Sequence, residues 1–327
     1  MLNDSDANND KLTVTSLSQP GFGQVVDNLD GTVIYTPNAG FIGDDSFNYR
    51  ATDGIEQSFM ASVNVTVREP TSDPAFVYLS STTSGVVNSD GASLSFRDED
   101  VLRYEMATGS WEMFIDGSDL GFTGDINAFS ILSDGSVLLS LTGAISVEGL
   151  GIIDDSDIIR FIPVSTGTTT SGSLELFFDG SDVDLNASAE DLYGITGSES
   201  SLLLTTVGQF AVDGASGLDR DIIEFTVESL GADTSGSWSV RLLGANSALN
   251  TSSEDIWALG SSADGHHLFF STVNNFLVDD INGNSSDILD CEIQSTASGP
   301  VCNYSILFRG ADIGFGGENI DAFHVEH

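Results

Sequence analysis

Positive charge is almost absent from this sequence. Its 327 residues contain 9 Lys and Arg against 50 Asp and Glu, which gives a formal net charge of −41, and Lys11 is the only lysine. Nucleic acids and anionic membrane surfaces are disfavoured as partners, because both are bound through basic surfaces. The negative charges repel one another unless cations or salt screen them. Divalent cations are the partners that this composition favours, and a carboxylate surface that only keeps the protein soluble is the alternative.

Long apolar runs and a targeting segment are also missing. No run approaches the roughly 18 apolar residues that a membrane helix needs, so no membrane insertion is expected. The first six residues, Met1 to Asp6, provide neither a basic nor an apolar stretch of a signal peptide. We expect a signal peptide to lie outside this sequence.

Cysteine is scarce, with Cys291 and Cys302 as the only two. They flank a turn rich in Ser, Gly and Pro between two strand-like runs, 288–293 and 301–307, so they are placed to face each other across a hairpin. We predict a disulfide between them, which would contribute about 2–3 kcal/mol at this loop length. Such a bond favours an oxidising compartment. Two reduced thiols in the core are the alternative.

Helix signals are nearly absent, and short apolar runs alternate with clusters of Gly, Asn, Asp and Ser. This pattern predicts an all-β protein. Pro70 and Pro74 interrupt it within a polar stretch. We therefore predict a first domain over residues 1–68, a linker over 69–74 and a second domain over 75–327.

The first domain contains five strand-like segments, at 12–17, 23–26, 32–36, 46–51 and 58–68. Short motifs within it resemble bacterial cadherin-like tandem repeats over residues 2–68. These motifs are Asn3-Asp4-Ser5-Asp6, Asp10-Lys11-Leu12-Thr13-Val14, Asp30-Gly31-Thr32, Tyr35-Thr36-Pro37, Phe41-Ile42-Gly43, Asp45-Ser46-Phe47-Asn48-Tyr49 and Asp53-Gly54.

The resemblance implies an immunoglobulin-like sandwich that stacks in arrays and often binds calcium. Its first strand would precede Leu2, so we expect a partial sandwich from which that strand is missing. The calcium ligands that the resemblance suggests are the aspartates Asp4, Asp6, Asp10 and Asp53.

Three motifs recur four times, in the same order, between residues 75 and 327. The first consists of Asp100-Val101-Leu102, Asp157-Ile158-Ile159, Asp221-Ile222-Ile223 and Asp287-Ile288-Leu289. The second consists of Asp116-Gly117-Ser118-Asp119, Asp179-Gly180-Ser181-Asp182, Leu243-Gly244-Ala245-Asn246 and Arg309-Gly310-Ala311-Asp312. The third consists of Asp125-Ile126-Asn127, Asp191-Leu192-Tyr193, Asp255-Ile256-Trp257 and Asn319-Ile320-Asp321.

Each repeat contains about four strand-like segments, which in the second repeat lie at 126–132, 136–141, 157–163 and 173–178. Four-stranded units that repeat around an axis are typical of a β-propeller. The first repeat lacks its opening strand, and the chain ends with an unmatched copy of that strand at 320–326. We predict a four-bladed propeller in which this last strand pairs with the strand at 76–80. An open sandwich or a β-solenoid is the alternative.

The aspartate motifs fall on loops that a propeller would collect on one face. Clustered carboxylates, together with carbonyl and amide oxygens, are ligands that suit Ca²⁺. The candidate metal ligands of this face are Asp98, Asp100, Asp155, Asp157, Asp219, Asp221 and Asp287. The alternative is that these residues make Asx turns before each strand.

No catalytic motif is recognisable: the chain has no Gly-x-Ser-x-Gly elbow, no phosphate loop and no His/Cys zinc cluster. We therefore predict an extracellular, calcium-binding structural or adhesive module of a large bacterial surface or secreted protein, and not an enzyme. A carbohydrate- or protein-binding propeller, with surface glycans or extracellular proteins as partners, is the first alternative. A carboxylate-dependent glycoside hydrolase is the second. The aromatic residues at equivalent repeat positions are expected in the core: Trp111, Phe129, Trp238, Trp257 and Phe323.

Overall fold

The chain forms two compact units, residues 1–72 and 73–327. The structure, a computed structural model, describes residues 11–29, 31–38, 41, 43–67, 74–89, 91–296 and 299–326. Within them the regular elements are β-strands and short 3-10 turns, so the predicted all-β class is confirmed. Most of the predicted linker, 69–74, lies outside the described residues.

The first unit has five strands, close to those that the apolar segments predict. They are β1 (Thr13–Thr15), β2 (Gly23–Asp27), β3 (Val33–Pro37), β4 (Gly43–Thr52) and β5 (Ala61–Val67). One sheet has the order β1-β4-β5 and the other pairs β2 with β3. Phe47, Tyr49 and Ala51 alternate along β4 and are buried, as one face of a half-buried strand requires.

The second unit contains four sheets of four antiparallel strands, which we number I to IV. The strands of each sheet are named in spatial order. The first strand is the one that contacts the first strands of the other sheets, and the fourth is at the opposite edge. Sheet I consists of β29 (Ile320–Glu326), β6 (Phe76–Ser81), β9 (Val101–Glu105) and β10 (Ser110–Ile115). Sheet II consists of β11 (Ile126–Ile131), β12 (Val137–Leu141), β15 (Ile158–Ser165) and β16 (Ser171–Phe178). Sheet III consists of β17 (Leu192–Ser198), β18 (Ser201–Thr206), β21 (Ile222–Ser229) and β22 (Ser235–Leu242). Sheet IV consists of β23 (Ile256–Ser261), β24 (His267–Thr272), β27 (Asp287–Thr296) and β28 (Gly299–Arg309).

Each repeat adds a small hairpin that the sequence analysis does not predict. The hairpins join the second and third strands and are β7 (Gly85–Ser89) with β8 (Ala92–Phe96), β13 (Ile145–Val147) with β14 (Gly151–Ile153), β19 (Phe210–Val212) with β20 (Ala215–Gly217), and β25 (Phe276–Val278) with β26 (Ile281–Gly283). The turn of the last one has Asp279 and Asp280 at φ 45° and 68°. Two successive positive φ values are the geometry of a two-residue type I′ turn.

Short 3-10 turns complete the repeats. They are η1 (Gly117–Leu120), η2 (Gly180–Val183), η3 (Gly244–Asn246), η4 (Ser252–Glu254) and η5 (Gly310–Ile313). Four of them, all except η4, directly follow the fourth strand of a sheet. Part of the aspartate-rich sequence thus forms these turns.

The last strand pairs with the first strand of its unit, as predicted. Phe323 of β29 lies opposite Leu79 of β6, and Glu326 lies opposite Phe76, in an antiparallel register. Sheet I is therefore built from both ends of the second unit.

The four sheets are neighbours in cyclic order. The first strands β11, β17, β23 and β29 each contact the next one, and β29 also contacts β11. Four hydrophobic clusters fill the spaces between sheets I and II, II and III, III and IV, and IV and I. This is the arrangement of a four-bladed propeller, and closure of the ring in solution stays a prediction.

Buried aromatic side chains also join neighbouring sheets. Trp111 Nε1 of sheet I donates to the carbonyl of Ile313 after sheet IV, at 3.0 Å. Trp238 Nε1 donates to Val183 O, also at 3.0 Å. Phe129 and Phe323 are fully buried, so these four aromatics lie in the core as expected. Trp257 differs, because its side chain is only half-buried.

Cys291 and Cys302 form the predicted disulfide across the β27–β28 hairpin, with their Cα atoms 4.9 Å apart. Cys291 is fully buried and pairs in register with Tyr304, while Cys302 pairs with Ile293. The bond therefore fixes the outer hairpin of sheet IV.

In the part of the chain that the structure describes, no helix has the length and apolar character needed to cross a membrane.

Deletion of residues 320–327 tests ring closure. The deletion leaves β6 as an unpaired edge and uncovers Val77 and Leu79, which are fully buried in the intact protein. Because exposed strand edges recruit other chains, we expect the truncated protein to aggregate. Size-exclusion chromatography with light scattering measures this, and a chain that ends at residue 326 is the control. A monomeric truncated chain with unchanged thermal stability would contradict closure.

Candidate functional site

Four of the predicted metal ligands have a structural role, namely Asp100, Asp157, Asp221 and Asp287. In each, one carboxylate oxygen accepts the backbone amide three residues earlier, as when Asp157 Oδ2 accepts from Asp154 N at 2.8 Å. The other oxygen accepts the amide of the glycine that opens the 3-10 turn, as when Asp157 Oδ1 accepts from Gly180 N at 3.0 Å. All four side chains are buried. These bonds differ from those of an Asx turn, in which the side chain bonds the amide two residues further on, so the four carboxylates hold the 3-10 turn against the strand in another way.

The glycine of the second motif is required by the same contact. A Cβ on Gly180 would overlap the carbonyl oxygen of Ser156, and Gly117, Gly244 and Gly310 have equivalent contacts. The turn can approach the aspartate only because this position has no side chain. This contact explains why Gly remains in the two repeats whose second motif has lost its leading Asp.

A second group of aspartates lies closer to the first strands. Asp98, Asp155 and Asp219 come two residues before the structural aspartates. Their carbonyl oxygens accept the first backbone amide of the first strand in the next sheet. One such bond joins Leu192 N to Asp155 O at 3.0 Å. Because Asp125, Asp191 and Asp255 precede that amide by one residue, the backbone brings the two sets together.

The carboxyls of Asp155 and Asp191 lie within hydrogen-bonding reach of each other. Burial, the hydrogen bond with Asp154 and repulsion from Asp191 raise the pKa of Asp155 to about 7. Burial also raises the pKa of Asp191, although its hydrogen bond with Asp155 acts in the opposite direction. Two carboxyls this close therefore resist being ionised together, and a shared proton or a cation relieves their repulsion.

Sheets III and IV are joined by a second pair of the same kind. Burial, together with the hydrogen bond and repulsion from Asp219, raises the pKa of Asp255 to about 7. Asp255 is 8 % exposed, and Arg220 lies 3.9 Å from its Oδ1. This arginine only partly offsets the repulsion between the two carboxyls.

The fourth repeat has a neutral pair at the same position. There Ser285 Oγ donates to Asn319 Oδ1 at 2.6 Å, and Ile320 N donates to Ser285 O at 3.0 Å. The backbone arrangement therefore forms without charge. The aspartates of the other repeats are not needed to hold this turn in place.

The remaining pair, Asp98 and Asp125, has an additional neighbour in Asp321. Burial and repulsion from Asp98 raise the pKa of Asp125 to about 6, and a hydrogen bond with Asp321 lowers it. Asp321 is completely buried, and burial and Asp125 raise its pKa well above the usual range. Sequence reasoning missed Asp125 and Asp321 as site residues, although both belong to the third repeated motif.

Other candidate residues are bound locally or fall outside the structure. Asp53 Oδ1 accepts the amides of Ile55 and Glu56, both at 2.7 Å, which lowers the pKa of Asp53 and forms an exposed turn. Asp4, Asp6 and Asp10 lie outside the described residues. Among the described residues, no three His, Cys, Asp or Glu side chains are grouped so that they could hold a metal.

The carboxyl pairs lie at the N-terminal ends of the first strands, and the C-terminal ends of these strands open into a cavity of about 1020 Å³. Hydroxyl groups contribute much of its lining, with Ser130, Thr196 and Ser261 at the ends of β11, β17 and β23. Arg241, Glu224 and His324 also line it. The two ends of the first strands thus differ in chemistry, because the N-terminal ends present carboxyls and the C-terminal ends present mainly hydroxyls.

The carboxyl pairs predict a specific dependence of stability on pH. A carboxyl whose folded pKa is raised stabilises the fold fully below the unfolded pKa, and this stabilisation is lost as pH rises through the folded pKa. In chelator, we therefore expect the melting temperature to fall between about pH 4 and pH 7, the interval that separates the usual pKa of Asp from the value of about 7 for Asp155 and Asp255.

The double variant Asp155→Ser/Asp191→Asn, which copies the neutral pair of the fourth repeat, is the control. Its melting temperature should fall less steeply over the same interval. Equal slopes for the variant and the unmodified protein would show that this pair does not titrate between pH 4 and pH 7.

Comparison with known protein families gives a match in the first unit. Residues 1–68 match the family model described as a cadherin-like domain. No curated protein matches the chain at a significant level.

Two solved structures illustrate the similarity of the chain to known folds. One, described as YCF48 bound to D1 peptide, has 9 % identity and a TM-score of 0.26, and the match covers 97 % of this chain and 82 % of that one. Another is an auxiliary nutrient binding protein from Bacteroides ovatus, with 8 % identity, a TM-score of 0.26, and coverage of 90 % and 63 %. Similarity at this level supports no conclusion about the second unit. The resemblance of residues 1–68 to the cadherin-like domain is thus confirmed by the family match.

Proposed function

We propose that this protein is an extracellular structural or adhesive module whose folded state binds calcium. The observation that supports it most directly is the carboxyl pairing in three of four repeats, and the carboxyls of Asp155/Asp191 and of Asp219/Asp255 lie within hydrogen-bonding reach of each other. Two carboxyls in contact favour a cation that replaces the shared proton. The net charge of −41 adds a general attraction for cations.

Calcium suits these pairs better than metals that need several side-chain ligands of nitrogen or sulfur. Ca²⁺ accepts six to eight oxygen ligands, including backbone carbonyls and water. Two carboxylates with nearby carbonyl oxygens and solvent can therefore complete a site where three acidic side chains are not grouped. The cadherin-like match at residues 1–68 supports a module of the same general kind.

The hydrolase alternative is not favoured by the carboxyl geometry. Glycoside hydrolases need two carboxyls that are at least about 5 Å apart, with the substrate between them. The Asp155 and Asp191 carboxyls instead lie within hydrogen-bonding reach. Asp321 is completely buried, so a substrate cannot contact it.

Thermal melts in calcium test the proposal. A ligand that binds only the folded state adds about 2.7 kcal/mol at a hundredfold excess over its Kd. For a unit of this size we expect the melting temperature to rise by about 5–10 °C. Sodium chloride at equal ionic strength is the control, because simple screening would raise the melting temperature equally in both salts.

The neutral-pair variants identify the ligands. Asp155→Ser/Asp191→Asn and Asp219→Ser/Asp255→Asn should each reduce the calcium-dependent shift, whereas Asp233→Asn on an exposed hairpin should leave it unchanged. Asp157 is unsuitable for this purpose, because its substitution also breaks the bonds to Asp154 N and Gly180 N. An undiminished shift in both double variants would exclude the pairs as the calcium sites.

One observation favours carbohydrate binding as a second candidate function. Tyr193 and Trp257 are half-buried at the N-terminal ends of the first strands, beside the carboxyl pairs, and their ring centroids are 5.7 Å apart. Partly exposed aromatic rings beside polar groups are suited to sugar rings, which combine apolar faces with hydroxyls.

Titration of Trp fluorescence with neutral oligosaccharides tests this candidate. We expect a saturable fluorescence change. Trp257→Leu should remove this change, whereas Trp111→Leu, in the buried core, should leave it in place. No saturable change at millimolar oligosaccharide would argue against sugar binding at this end.

A further inference from the structure

Each first strand has a β-bulge at the same position. The pairing register shifts at the second residue of β11, β17 and β29, and between the first and fourth residues of β23. Bulges redirect a side chain out of the regular alternation of a strand. The residues affected in this way are Asn127, Tyr193, Trp257 and Asp321.

These bulges lie where the four sheets converge. The first strands contact their neighbours and also the strand diagonally opposite, as β11 does with β23 and β17 with β29. Asn127 Nδ2 reaches the next sheet and donates to Leu192 O at 2.7 Å. Asp321 likewise reaches the next sheet, where it contacts Asp125.

Four oxygen atoms near this junction are buried and lack a hydrogen-bond donor in the described part of the chain. They are Oδ1 and Oδ2 of Asp321, Oδ1 of Asp125 and Oδ1 of Asn127. Asp321 has no exposed surface. Buried oxygens without a well-formed hydrogen bond are unfavourable, and for Asp321 its own backbone amide and that of Ala322 offset the loss of hydration only in part.

A shared proton meets this need only in part. One proton between Asp125 and Asp321 satisfies a single contact between two carboxyl oxygens. The second oxygen of Asp321 would still lack a donor. A cation between Asp125 and Asp321 can contact both carboxylates, and oxygen-only ligands with two negative charges suit Ca²⁺.

We propose that Asp125 and Asp321 hold a buried calcium ion where β29 of sheet I meets β11 of sheet II. Backbone carbonyls or water would complete the coordination. The ion would balance the charge of the two carboxylates and connect the last strand of the chain to the neighbouring sheet. This site shares its ion and Asp125 with the proposed function, but it is tested at Asp321 whereas the proposed function is tested at Asp155/Asp191 and Asp219/Asp255, so either proposal can fail alone.

Asp321→Asn is the main test, because it places at this bulge the residue that already occupies the equivalent bulge at Asn127. In calcium, the variant should melt below the unmodified protein, by about 5 °C or more, because the ion has lost a charged ligand. In chelator, the variant should melt above it, because a buried charge without a counterion has been removed. Asp233→Asn on an exposed hairpin is the matched control and should change neither value.

Calcium content provides a second readout that is independent of thermal stability. After gel filtration in calcium-free buffer, elemental analysis should find one retained ion per chain in the unmodified protein and none attributable to this site in Asp321→Asn. The variant Asp155→Ser/Asp191→Asn should keep this ion.

Two outcomes would overturn the proposal. One is an unmodified protein that retains no calcium. The other is an Asp321→Asn variant whose melting temperature differs from that of the unmodified protein by the same amount in calcium and in chelator, which would indicate a shared proton. If calcium stabilises the protein and only the neutral-pair variants reduce the effect, the proposed function stands and this site does not.

Discussion

The antiparallel pairing of β29 with β6 is the interaction on which the second unit depends. It places residues that are far apart in the chain, such as Phe323 and Leu79, side by side in one sheet. The cluster between sheets IV and I also includes Phe269 and Ile288, so the pairing completes a core as well as a sheet. Without it, sheet I would have an open edge and sheet IV would have no neighbour on that side.

The aspartates of the repeated loops fall into two groups, one that stabilises the fold and one whose mutual repulsion destabilises it. Asp157 and its equivalents accept two backbone amides each, so their negative charge is used to hold a turn against a strand. Asp155 and Asp191 instead face each other, and their proximity is unfavourable unless a proton or a cation lies between them. Ser285 and Asn319 form a neutral pair at the equivalent position of the fourth repeat, so the fold accepts a neutral pair there as well as two carboxyls.

The position of these pairs relates fold to function. Each lies at the start of a first strand, where a backbone bond such as Leu192 N to Asp155 O joins consecutive sheets. A cation bound there would contact residues of two repeats and would therefore stabilise the contact between them. In the first unit, the buried Asp45 carboxylate joins separate segments through hydrogen bonds, because it accepts from Gly21 N, Phe22 N and Tyr35 OH.

The sequence by itself determined the strands, the repeats and the disulfide, because these follow from local patterns. Alternating apolar residues define β4, and the matching motifs at Asp100 and Asp157 define equivalent turns. The small hairpins were missed, since three-residue strands such as Phe276–Val278 have too few residues to show alternation. Sequence could not separate Asp155 from Asp157, because both are aspartates in the same loop. Only the tertiary structure decided their roles: the chain fold aims Asp157 at the amide of Gly180 and brings Asp155 against Asp191 of the next repeat. It also buried Asp321 completely, because the contact between β29 and β11 joins segments that are almost 200 residues apart in sequence.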